Sequence, residues 1–116
     1  MNYRSKQDEI RDFLALELIN GKVCEGEKVQ DMKFFTGKFK VNPSYVQGVL
    51  ELMEKQGLVD KRIDYYYYKR DAEIISRLKD EFSNRFINSF LDDMAKVGYG
   101  LDEAVELLKM RNMANG

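Results

Sequence analysis

The chain reads as a mainly α protein carrying one small β-hairpin. Three observations predict this. Apolar residues recur at three- and four-residue spacing in five stretches, glycine or an asparagine-proline pair punctuates those stretches, and only around Leu58 to Tyr68 does the pattern change to one that suits strands.

Ser5 followed by Asp8 resembles a capping box with a shorter acid, and Ile10, Phe13, Leu14 and Leu18 then share one helical stripe that stops at Gly21. Asp31 caps a second, shorter helix in which Met32, Phe35 and Phe39 keep helical spacing, weakened by Gly37. Asn42-Pro43 opens a third. Asparagine accepts from free first-turn amides, and proline at the first helical position gives up no hydrogen bond. Val46, Val49, Leu50 and Met53 form its buried stripe, and Gly57 supplies the left-handed stop.

Leu58, Val59 and Ile63 precede a turn centred on Asp64, and the run Tyr65 to Tyr68 follows, which predicts a two-stranded hairpin. Tyr66 and Tyr68 share one face, Tyr65 and Tyr67 the other, and identical side chains hide which face is buried. From Asp71 to Gly98 a long helix carries Ile75, Leu78, Phe82, Phe86, Phe90 and Met94, widened by Ile74, Ile87 and Leu91. Gly100 with Glu103 begins a last helix bearing Leu101, Val105 and Leu108, and Asn112 to Gly116 reads as a frayed tail.

Composition removes most chemistry. The 116 residues carry 19 basic and 20 acidic side chains, a net charge of −1, so a polyanion partner must be met by a local patch. Cys24 is the sole cysteine and histidine is absent, which excludes an internal disulfide, a Cys/His zinc site and a histidine-dependent triad. The neighbouring acids Asp92-Asp93 and Asp102-Glu103 point about 100° apart on a helix and do not converge. No enzyme and no cofactor are expected. Residues 1–12 show no secretory pattern and no apolar run approaches the ~20 residues of a bilayer span, so a soluble cytoplasmic protein without membrane contact is expected.

Three helices followed by a hairpin is the order of a winged helix-turn-helix, in which the third helix enters the major groove of double-stranded DNA and the wing touches its backbone. Residues 1–70 form that head. Residues 71–116 form a helical dimerisation segment, because a helix of about 25 residues has an apolar stripe of roughly 37 Å, longer than a three-helix head covers. The expected interface is Leu78, Phe82, Phe86, Phe90, Leu91, Met94 and Leu108. An alternative use of the phenylalanines is a pocket for a flat apolar ligand, and a small-molecule effector stays open.

The stretch Leu18-Ile19-Asn20-Gly21-Lys22-Val23-Cys24-Glu25-Gly26-Glu27-Lys28-Val29 resembles the signature of the GntR family of bacterial transcriptional regulators. Val41-Asn42-Pro43-Ser44-Tyr45-Val46 is similar to the lead-in to the recognition helix in its YtrA-like subfamily, and Leu50-Glu51-Leu52-Met53-Glu54-Lys55-Gln56-Gly57-Leu58-Val59 to the segment preceding the wing. A short two-helix C-terminal part is also that subfamily's habit. The resemblance implies a homodimer regulating transport genes, often in its own operon. The chain departs from the pattern at Gln30-Asp31 and Lys33, where the family has proline-serine and an arginine, and at Tyr45 and Gln47, where it has threonine and, in some members, arginine. The wing tip Arg62-Ile63-Asp64-Tyr65 lacks the usual glycines.

Residues 1–70 carry +2 and residues 71–116 carry −3. The candidate DNA contacts are Lys33, Lys38, Lys40, Lys61 and Arg62 for phosphates, with Asn42, Ser44, Tyr45, Gln47 and Tyr65 around them. Gln47 bridges adenine through its amide in this reading. Asn42 serves as the cap whatever else it touches, while Tyr45 either meets a base or packs over the head. The expectation is a homodimeric regulator, a repressor, on a pseudo-palindromic operator with half-sites about 34 Å or a multiple apart. The alternative is a winged-helix protein-interaction module with little or no DNA affinity, favoured by the sparse arginines and the wing without glycine.

Overall fold

The computed structural model describes residues 4–115, with the side chains of residues 4–112. Its elements are α1 (Lys6–Ile19), α2 (Met32–Phe39), α3 (Pro43–Lys55), β1 (Val59–Lys61), β2 (Tyr66–Tyr68), α4 (Ala72–Lys96) and α5 (Leu101–Asn115). The expected class is found. Contacts divide the chain into two compact units between Lys79 and Asp80, inside α4 rather than at residue 70. Ile74 and Leu78, both buried, fall in the first unit.

In the first unit each helix begins where a side chain answers the free first-turn amides. Ser5 accepts from the Asp8 amide while the Asp8 carboxylate accepts from the Ser5 amide, a complete capping box. Asp31 accepts from the Phe34 amide at 2.9 Å, and Asn42 accepts from the Tyr45 amide at 2.9 Å with Pro43 directly behind it. The helix α1 packs on α2 and α3, and α3 on β1. Ile10, Leu14 and Leu18 of α1, Phe35 of α2 and Val46, Val49, Leu50 and Met53 of α3 are all buried, the core of these packed helices. Each such side chain contributes about 1.5–3 kcal/mol by leaving water. Phe13, half-buried, joins the cluster edge-on to Phe35 and Phe39.

The helix α3 ends at Gly57, whose φ of +79° is the left-handed geometry that closes a helix and turns the chain into β1. The strands β1 and β2 pair antiparallel, with Val59 opposite Tyr68 and Lys61 opposite Tyr66. The tyrosine faces are now assigned: Tyr66 and Tyr68 are buried, Tyr65 and Tyr67 half-buried. The other edge of β2 is also used. The Val29 amide donates to the Tyr66 carbonyl at 3.0 Å and the Tyr68 amide to the Glu27 carbonyl at 2.8 Å, so residues 26–29 act as a third, irregular strand.

In the second unit the last 17 residues of α4 lead through Gly98 to α5. The Gly100 amide donates to Glu103 at 2.7 Å, the start expected from the sequence. The expected frayed tail is corrected, because α5 continues through Asn112 to Asn115; Gly116 lies outside the described residues. Of residues 101–112 only Ala104 is buried.

Candidate nucleic-acid interface

The helices α2 and α3 are joined by a tight turn at Lys40, which adopts φ +59°, ψ +49°, the left-handed cap of α2. Lys33 and Lys38 on α2 and Lys40 in the turn itself are all exposed. Lys38 spreads over the rings of Phe13 and Phe39, 5.3 and 5.7 Å from their centroids, so its stem packs while its charge stays wet.

At the start of α3, one oxygen organises several candidate residues. Asn42 Oδ1 accepts from both the Tyr45 amide and the Ser44 hydroxyl, the latter at 2.8 Å. Asn42 is the cap, as expected. Tyr45 stands exposed instead of folding over the head. Gln47 is half-buried, and its Nε2 donates to Tyr66 Oη at 3.0 Å and to Glu51 Oε1 at 3.3 Å. The two-point contact to adenine expected of Gln47 needs a free amide hydrogen, and here both have partners.

Tyrosine hydroxyls fasten the wing to the helices. Tyr65 donates to the Gln30 carbonyl at 2.8 Å and Tyr68 to Gln30 Oε1 at 2.6 Å. Burial raises the phenol pKa of Tyr65 and, more strongly, of Tyr68. At the wing tip the Arg62 guanidinium lies 4.4 Å over the Tyr67 ring, and Tyr67 donates to Asp64 at 2.6 Å. That hydrogen bond lowers the Asp64 pKa and raises that of Tyr67. Lys28 pairs with Asp64 at 3.4 Å.

Lys61 and Arg62 are exposed on the wing, whereas Tyr65, tied to Gln30, is only half-exposed. The outermost tip residue is Ile63, fully exposed, which periodicity could not single out from other strand apolars. Lys28, which the local excess of lysine over acid between residues 28 and 42 already marks, stands exposed beside the wing tip, while Gln30, Glu51 and the buried Tyr66 were absent from the sequence reading of the site. Only the four-residue spacing of Gln47 and Glu51 hinted at one of their contacts.

Two expected interface residues are corrected. Leu78 is 1% and Phe82 4% exposed in the single chain, which leaves them no surface to bury against a second copy. Phe86 and Leu108 are exposed, while Phe90, Leu91 and Met94 are half-buried. A shallow depression lined by Tyr99, Asp102, Glu103, Glu106 and Leu107 includes none of the three phenylalanines once considered for a ligand pocket. Among the described residues no group of acids and cysteine could hold a metal, and no helix is long and apolar enough to cross a membrane.

A helix-turn-helix with a paired wing is a winged-helix head, and two further helices follow it in the chain. No known family profile matches the chain. It is 26% identical over 102 residues to the HTH-type transcriptional regulator YhcF of Bacillus subtilis, itself uncharacterized, across 87% of this chain and 84% of that one. Among solved structures it resembles a GntR family transcriptional regulator from Listeria monocytogenes, with a TM-score of 0.75 at 19% identity over 95% of this chain and 97% of that one. A transcriptional regulator from Oenococcus oeni gives a TM-score of 0.68 at 14% identity, covering 100% of this chain and 95% of the other. The structural likenesses show the fold, and the proteins named are described as transcriptional regulators.

Proposed function

We propose that this chain is a cytoplasmic DNA-binding regulator of GntR type, of the YtrA-like kind, that represses transcription as a homodimer on a pseudo-palindromic operator. The observation that carries the reading is the set of exposed cations on the helix-turn-helix and wing: Lys33, Lys38 and Lys40 on α2 and its cap, and Lys61 and Arg62 on the wing. Cations on these two elements neutralise phosphates when the third helix enters the major groove. The homodimer is supported by the exposed apolar side chains of the second unit, among them Phe86, Ile87, Leu101, Leu108 and Met110. An effector would act by changing how two heads are presented to one duplex.

Ile63 and the Lys28–Asp64 pair at the wing tip favour a second reading, a protein-interaction module, because an acid and a bare aliphatic suit a phosphate backbone poorly. A titration of random duplex DNA at low and moderate salt separates the two. The regulator binds every duplex weakly with a negative salt slope, and substituting Lys33 and Lys40 by alanine makes that slope shallower by about one per lost contact. No binding at low salt overturns the regulator in favour of the interaction module.

A further inference from the structure

Positions 44, 47, 48 and 51 recur at three- and four-residue spacing and form one stripe on α3. The buried Val46, Val49, Leu50 and Met53 lie on its other side. Gly48 keeps the stripe low, so Ser44, Gln47 and Glu51 are its functional groups. Each has its donors already spent or has none. Gln47 Nε2 gives its hydrogens to Tyr66 Oη and Glu51 Oε1. A carboxylate has no hydrogen to return, so Glu51 fixes which end of the amide faces it and leaves Gln47 Oε1 for an outside group. Ser44 gives its single proton to Asn42 Oδ1 and keeps only lone pairs. Glu51 itself only accepts.

Resting on the DNA-binding reading above, we propose that α3 reads base edges as an acceptor-only surface, selecting cytosine or adenine and rejecting guanine where Gln47 and Glu51 reach the major groove. Cytosine offers its N4 donor and adenine its N6 donor there, whereas guanine presents the acceptors N7 and O6. Against this stripe a guanine edge sets lone pairs against lone pairs. Tyr66 is the positioning residue: buried in the wing, it holds the amide from 19 positions away in sequence. The wing thereby sets what the recognition helix can read, in addition to touching the backbone.

The test is selection of duplexes from a random pool by the full-length chain, followed by titration of duplexes varied at the position that responds to Gln47→Ala. Cytosine or adenine is expected there, with guanine bound about fivefold or more weakly. Gln47→Glu retains acceptors only and keeps the preference, although overall affinity falls. Tyr66→Phe combined with Glu51→Ala frees the amide to turn its hydrogens outward, and guanine then binds as well as cytosine. Guanine selected by the unaltered chain, no position responding to Gln47→Ala, or loss of the preference in Gln47→Glu overturns the proposal while leaving DNA binding intact. A folded double variant that still rejects guanine overturns it as well. Absence of binding to any duplex at low salt removes the DNA-binding reading itself and this inference with it.

Discussion

Lys40 is the residue at which charge and backbone geometry pull apart. Its φ of +59° is the single positive value at a non-glycine residue among the described residues, in the turn that sets the angle between α2 and α3. A side chain in that conformation costs roughly 1–2 kcal/mol, and glycine avoids the cost at the expense of about 0.4–1 kcal/mol of extra freedom in the unfolded chain. Lys40→Gly is therefore expected to raise stability by about 0.5–1 kcal/mol in urea unfolding. Lys40→Ala is expected to leave stability nearly unchanged, and both variants should lose the same increment of DNA affinity. A stability loss in Lys40→Gly would show that the turn is held by the lysine side chain and not merely tolerated.

Among the elements, α3 and the wing show what a sequence reveals and what it hides. The caps Ser5, Asp31 and Asn42 were legible because a cap is a local contract between a side chain and amides two or three residues on. Asn42→Ala is expected to cost about 1 kcal/mol, measured by urea unfolding, since Asn42 Oδ1 serves both the Tyr45 amide and Ser44. The wing's hydrogen bonds were not legible. Tyr68 meets Gln30 from 38 positions away, and four identical tyrosines carry no pattern from which burial could be read. Burial keeps Tyr65 and Tyr68 protonated in the fold beyond the ordinary value of 10.0. The unfolded chain loses these protons first, so stability is fully present below pH about 10 and falls as pH climbs through the raised folded values. Thermal unfolding at increasing alkalinity measures this, and Tyr68→Phe should make the decline shallower.

For the whole molecule, the periodic phenylalanines were correctly placed on one helix, but their spacing is the same whether a side chain is covered by its own chain or by a second copy. Phe82 belongs to the first case and Phe86, 56% exposed, to the second in our reading. Phe86→Asp is expected to convert the proposed dimer to monomers in sedimentation and to weaken operator binding far more than it weakens binding by a single head. A sedimentation mass unchanged by the substitution refutes this interface. The domain division could not be placed from composition, because Ile74 and Leu78 continue the same stripe that the second unit uses.

Gln30, just ahead of α2, holds two tyrosines of the wing, one through its backbone carbonyl and one through its side chain. The wing is thus fastened to the head without a duplex, so its own placement needs no ordering step. For the proposed regulator, the speed of capture is then set by long-range attraction and collision geometry rather than by a slow rearrangement.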